Sequence, residues 1–384
     1  MNNESTNKNK RRTARILTVA CGLLFSIFCL VYLGVFQKDV VKALHYSLAQ
    51  GKTVYEPYIS AILITVVLLI LRWGMNSLIR LKGSLSALSY FPSFLLLGVL
   101  TDVGHGVYHG GGISSVWSWL LPLLLVAFVV FGYLLGRVFH VGTNPGFSEG
   151  TIINSNLFIL LMLCFMTIGL GNTNIHFHHE LQIEEALYRQ DYVEARKVGE
   201  ESMDPSRNLT ALRAYTMSRE GTMGEYLFQY PQLYGASGLL MGISDEKALR
   251  LNADSLYVYL GNRPTLGESS LAFFCRICEE ESGNYTTLDY YLSALLLERK
   301  LEDFVHSFDE LYMVKDSIPY YYKQALFLYD KMNPSDTYGI NDASLEELWS
   351  RYVEKREELS RQRGEANKMR REFGHTYWWY YQYR

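Results

Sequence analysis

Acidic charge is scarce at the start of this chain. Before His176 there are 5 Asp and Glu residues against 12 Lys and Arg, and from His176 onward there are 34 against 24. A net charge of −3 conceals that division. It predicts a cationic membrane part joined to a separate, acidic globular part. Strand signals are nearly missing as well. So are a nucleotide-binding glycine loop, a G-x-S-x-G turn and a second C-x-x-C pair. Without them the chain offers no phosphate cradle, no serine-hydrolase elbow and no four-cysteine zinc site. Nucleic acid is not expected as a partner of an acidic second half.

What is present is apolar and long. A membrane span needs about 20 largely apolar residues, and five segments meet or approach that length: 16–36, 58–79, 85–101, 116–138 and 152–171. The second has a short clean core and reaches Ile79 if Arg72 snorkels. The third is short, and Pro92 is placed to kink it. The first is too long for a cleaved signal peptide, and no small-residue cleavage site follows it. Orientation follows from the excess of Lys and Arg in cytoplasmic loops. Lys8, Lys10, Arg11, Arg12 and Arg15 put residues 1–15 in the cytoplasm, with Arg80, Lys82 and Arg137 on later cytoplasmic connectors. The connector after the third span has no Lys or Arg. The loop 37–57 is the exception, with Lys38, Lys42 and Lys52. Five spans would carry everything after Gly171 out of the cytoplasm.

From His176 the pattern turns amphipathic and helical. "EEALYRQDYVEARKVGEES" reads as two short helices about Gln190–Asp191. "NLTALRAYTMSREGTMGEYLFQY" reads as a pair about Gly221, and "TLDYYLSALLLERKLEDFVHSFDELY" as a pair about 300–302. "IPYYYKQALFLYDKM" is a further apolar-faced helix. "ASLEELWSRYVEKREELSRQRGEANKMRREF" reads as one long charged helix capped at Ser344 with Glu347 three residues on. The expected fold is therefore all-α: a transmembrane module over 16–172, a helical-repeat (α-solenoid) domain of tetratricopeptide (TPR) type over 176–342, and a charged helix with an aromatic tail over 343–384. Such stacks present concave surfaces that hold peptides or proteins.

The multi-span module, the TPR-like second half and the ending "FGHTYWWYYQY" together resemble an uncharacterised family of integral membrane proteins from the Bacteroidota, a domain-of-unknown-function family. Its most specific piece is the ending over 376–381. The resemblance implies a bacterial inner membrane and a periplasmic second half. It implies no reaction and no catalytic residues.

Four groups of side chains are candidates for chemistry or binding. In "TDVGHGVYHGGG" the spacing of Asp102, His105 and His109 would align all three on one helical face, a donor set that zinc accepts with water as its fourth ligand. The glycines there favour a polar connector instead. His176, His178 and His179 could join that set or belong to an interfacial linker. Cys275 and Cys278 have the spacing of a redox dithiol, but on a helix they also suit two buried core thiols. Tyr377, Trp378, Trp379, Tyr380 and Tyr381 form a tail that would expose a large apolar patch if it floated free. It therefore docks on the helical domain, meets a partner, or lies in the membrane interface. Residues 351–384 carry 9 basic against 5 acidic residues, and residues 176–350 carry 29 acidic against 15 basic. Charge thus favours docking on the helical domain.

Two functions fit. The first is a membrane-anchored periplasmic scaffold that binds a protein or peptide partner in an envelope assembly and needs no cofactor. The second is a polytopic membrane enzyme or transporter that uses Asp102, His105 and His109 with zinc.

Overall fold

The computed structural model describes residues 2–135, 148–241, 249–251, 253–280, 285–312, 317–335, 337–360 and 362–384. The chain is all-helical. Among the described residues the one β-type pairing is an isolated bridge between Val103 and Ile113. Two compact units divide it, Met1–His178 and His179–Arg384.

The first unit is built from apolar helices. α1 (Asn2–Val31) loosens into a wider turn over Tyr32–Phe36, and α2 (Lys38–Ala49) and α3 (Pro57–Ile79) follow. A 3-10 segment, Gly83–Tyr90, leads into α4 (Phe91–Thr101), then come α5 (Trp117–Tyr133) and α6 (Glu149–Leu170). Among the described residues four helices, Ala14–Phe36, Pro57–Ile79, Gly83–Thr101 and Glu149–Leu170, are long and apolar enough to cross a membrane. α5 is apolar but shorter; the end of that predicted span, 136–138, and Arg137 lie outside the described residues, as do the side chains of Lys8, Lys10 and Arg11.

Two local expectations are corrected. Pro92 does not bend the interior of α4: it sits in the first turn, directly after the 3-10 segment, where the helix changes type. The stretch 37–57 is not simply a loop, because α2 buries Val40, Val41 and Leu44.

Polar groups pin this apolar unit together. Asn156 on α6 is fully buried and uses its whole amide. Its Oδ1 accepts from Ser86 Oγ (2.9 Å) and the Ala87 N–H (2.6 Å), while Nδ2 donates to the Gly83 and Ile152 carbonyls (2.9 and 2.8 Å). In apolar surroundings an unmet amide costs several kcal/mol, so these four bonds fix where the 3-10 segment lies on α6. Further along, the Tyr32 and Thr101 hydroxyls pair at 2.9 Å, and Thr167 Oγ1 donates to the Phe94 carbonyl at 3.0 Å. Gly98 lets α4 and α6 approach closely: a Cβ there would lie 2.9 Å from Leu170 Cβ. Between these pins, Phe25 packs against Tyr90 and Phe94 at 5.0 Å.

α7 (Ile175–Tyr188) runs across the unit boundary. The second unit continues with α8 (Tyr192–Lys197), α9 (Arg207–Glu220), α10 (Met223–Tyr226), α11 (Ala253–Leu260), α12 (Ser270–Glu279), α13 (Tyr285–Leu297) and α14 (Leu301–Leu311). It closes with α15 (Tyr320–Met332), α16 (Ala343–Leu359), α17 (Glu365–Phe373) and α18 (Tyr377–Tyr383). Side-chain caps start several of these helices. Ser206 accepts from the Leu209 N–H, Ser269 from that of Ala272, and Thr376 from that of Trp379. Left-handed residues end others: Gln190 (φ 60°), Gly221 (φ 69°) and Arg299 (φ 58°).

The long charged helix is two helices. α16 stops at Leu359 and α17 begins after Gly364, whose φ of 81° is left-handed. Its cap is Asp342 rather than Ser344: the Asp342 carboxylate takes the Ser344 and Leu345 N–H groups.

Neighbouring helices pack in sequence, α8 on α9, α12 on α13, α13 on α14, α14 on α15, and α16 on α17. Other contacts reach further: α10 and α18 both pack on α15, and the turn Gly235–Leu239 packs on α9 and α13. One continuous core runs from Ile183 to Tyr380.

Candidate functional sites

The outer connector ends the helical run early. α4 stops at Thr101, and Asp102 follows with φ −79° and ψ 64°. The Val103–Ile113 bridge then closes a loop around a 3-10 turn, His105–His109, which Gly110 terminates at φ 74°. Asp102, His105 and His109 therefore do not share a helical face. Within a three-residue turn, side chains four apart point about 120° apart. Asp102 Oδ2 instead accepts the Trp117 indole N–H at 2.6 Å, a short charge-assisted bond. The His105 ring is tilted against Phe177 (4.9 Å) and edge-on to Tyr108 (5.5 Å), and His105 and His109 are both exposed. His178 Nε2 lies 3.1 Å from the Asn172 carbonyl, and His176 is half-buried. His179 falls in the second unit, where its ring packs against Gly199. Among the described residues, no three His, Cys, Asp or Glu side chains are grouped to hold a metal ion.

Cys275 and Cys278 lie on α12 as free thiols and are half-buried rather than core residues. Cys275 Sγ donates to Glu279 Oε1 at 3.3 Å. Desolvation pushes both thiols up, Cys278 to about 11, the opposite of what a thiolate nucleophile needs.

The aromatic tail forms α18 and is packed into the second unit. Tyr377, Trp378, Trp379 and Tyr380 are buried, and Tyr381 is half-buried. Each buried polar ring atom that bonds does so to backbone. Trp378 Nε1 donates to the Gln324 carbonyl (2.9 Å), Tyr380 OH to the Leu297 carbonyl (2.8 Å), and Trp379 Nε1 to the Ala366 carbonyl (3.2 Å). Ring burial and these bonds hold the tail, not the charge complementarity that its basic composition suggests.

One rim of α17 and α18 opens onto a cleft of about 410 Å³. Trp379 and Tyr380 form one wall, and Phe228 and Tyr230 from the turn after α10 form another. Phe228 and Tyr380 meet at 5.0 Å between ring centres. Behind Tyr230, 4.1 Å from its ring centre, lies Arg213, which is 2% exposed. Its guanidinium donates to the Val198 carbonyl at 2.6 Å, and burial lowers its pKa to about 10. Arg370, Arg371, His375 and Arg384 complete the rim. The cleft was not foreseen. Its residues lie near 200–232 and 370–384, and the local signals were the Arg370–Arg371 pair beside the aromatic ending and a lone Arg213 in an apolar run.

Residues 265–384 match the model of a family of unknown function, DUF6057. The match takes in α12 to α18, and so the whole aromatic tail, but stops short of the Phe228–Tyr230 wall. No curated protein and no solved structure matches the chain.

Proposed function

We propose that this protein is a membrane-anchored helical scaffold of a Gram-negative cell envelope. In this reading the first unit crosses the inner membrane five times, with α5 as one span and the N-terminus in the cytoplasm. The second unit lies in the periplasm, where TPR-like helix pairs hold a protein or peptide partner. The observation that carries the reading is the difference between the two units' surfaces. In the first, Leu23, Ile27, Leu63, Val67 and Phe165 are 58–63% exposed on helices long enough to span. Such continuous apolar faces suit lipid and not water. In the second, the apolar residues gather into one core, and the cleft beside α18 offers a concave surface with aromatic and charged walls. The commitment of Asp102 to Trp117 supports a structural connector rather than a reacting site.

Leu266, fully exposed on the loop before α12, provides the test. In a chain with Cys275→Ala and Cys278→Ala, a Leu266→Cys variant should react with a membrane-impermeant maleimide in intact spheroplasts. The parent lacking that cysteine sets the background. Labelling only after lysis would put the second unit in the cytoplasm and remove the envelope reading. Affinity capture of the full chain from mild detergent should then enrich an envelope protein over an unrelated membrane-protein control.

A further inference from the structure

We propose that the cleft between α17, α18 and the Phe228–Tyr230 turn binds an amphipathic organic anion, a carboxylate or phosphate group joined to an apolar or aromatic body. This goes beyond the scaffold reading, since such a ligand can be a free small molecule or a group that a partner presents.

Arg370, Arg371 and Arg384 all line the cleft, and none forms an ion pair among the described residues. The one acidic side chain lining the cleft among the described residues, Glu200, accepts from Gln229 Nε2 at 3.3 Å and contributes to the field at Arg213. It is therefore shared with groups outside the guanidinium cluster. Arg370 is held in place: its Nη2 donates to the Met203 carbonyl at 3.2 Å, and its guanidinium lies 5.7 Å from the Trp379 ring centre. Burial and the neighbouring Arg384 charge both lower its pKa, which marks a crowded, uncompensated cation. An oxyanion placed among these groups gains charge-assisted hydrogen bonds from donors that match its planar or tetrahedral oxygens.

The apolar walls argue for the second half of the ligand. About 410 Å³ lies in the range of small-molecule sites and far exceeds a bare phosphate ion. Trp379 and Tyr380 are 7% and 6% exposed, so a small part of each ring reaches the cleft, and an inorganic anion alone would leave most of its volume unfilled. An aromatic or branched apolar group fills that space against the parts of the walls that remain accessible.

The test uses the full chain in an uncharged detergent, with binding followed by ligand-observed NMR. The probes are N-acetyl-phenylalanine, its uncharged amide, phenyl phosphate and inorganic phosphate. The acid should bind at least tenfold more tightly than the amide, and phenyl phosphate at least tenfold more tightly than inorganic phosphate. Whichever aromatic anion binds more tightly identifies the natural headgroup as carboxylate or phosphate. Arg371 and Arg384 are exposed, so an Arg371→Gln, Arg384→Gln double variant should keep its melting temperature while losing at least tenfold in affinity. Arg371→Lys should retain part of it. Equal binding of acid and amide, an unchanged double variant, or no saturable binding of either aromatic anion overturns the proposal. None of these outcomes bears on whether affinity capture finds a protein partner.

Discussion

Trp378 donates its indole N–H to the carbonyl of Gln324, 54 residues earlier in the chain, at 2.9 Å. The same Gln324 accepts the Tyr377 N–H on its side-chain oxygen at 2.8 Å. α18 is thereby stitched to α15 by both the backbone and the side chain of one residue. Around that stitch Trp378 meets Phe327 at 5.5 Å and Trp349 at 5.0 Å.

Removing that ring should be costly. Trp378 is 1% exposed, and Trp→Ala changes in cores cost about 3–5 kcal/mol. For a body of this size the melting temperature of the second unit's transition in the full chain should fall by roughly 10 °C. Gln382→Ala, at an exposed position on the same helix, should change it little. A Trp378→Ala protein that melts like its parent would show that α18 is not part of the cooperative core.

How much of this was legible depends on how local each signal was. The apolar runs over 16–36 and 58–79 announce α1 and α3 because length and composition alone decide a span. α2 escaped notice because its buried face, Val40, Val41 and Leu44, is interleaved with Lys38, Asp39 and Lys42. In "NDASLEEL", Asp342 and Ser344 are both good caps, and only the chain's path chooses between them. The "RGEA" break between α16 and α17 contained its own glycine signal, masked by charge on both sides. The Asp102–His105–His109 spacing shares a face only on a continuous α-helix, and the glycines that favoured a connector sit in a bridge and a 3-10 turn instead. The cleft needed residues about 170 positions apart, and no periodicity in one chain reports such a meeting.

A buried acid and a half-buried one give the second unit a pH dependence. Glu184, 2% exposed, accepts the Leu249 and Arg250 N–H groups at 3.0 and 2.8 Å. Desolvation still raises its pKa to about 7. Asp289, bonded by the Tyr322 hydroxyl at 3.1 Å, is raised by desolvation to about 6. Between their ordinary values near 4 and these raised ones, the folded unit holds protons that the unfolded chain has released. Stability should therefore fall as pH rises from about 4.5 to 7, by on the order of 3 kcal/mol for each acid over the full window. Glu268 works in the opposite sense at lower pH. Arg276 holds it at about 2, so its contribution is lost only on strong acidification. Melting curves of the full chain at pH 4.5 and 7.5 check the direction. Glu184→Gln and Asp289→Asn, which keep an acceptor and remove the charge, should each flatten the slope. A parent protein more stable at pH 7.5 than at pH 4.5 would contradict the assignment of these two acids.

The bond between Asp102 and Trp117 sets the last expectation. At 2.6 Å the indole N–H occupies Oδ2, and the connector is folded around it by the Val103–Ile113 bridge. Trp117→Phe keeps most of the ring and removes the donor, leaving a half-buried carboxylate without its partner. That should cost about 1–3 kcal/mol in the stability of the first unit. Metal analysis tests the same geometry from the other side. After exposure to zinc and desalting, the full chain should carry well under one zinc per molecule, and His105→Ala with His109→Ala should leave that content unchanged. Recruiting both imidazoles and Asp102 to one ion would require breaking the Trp117 bond and moving the exposed His105 ring off its edge contacts with Phe177 and Tyr108. Stoichiometric zinc that disappears in the double variant would mean the connector does rearrange in that way, and the enzyme or transporter reading would then displace the scaffold.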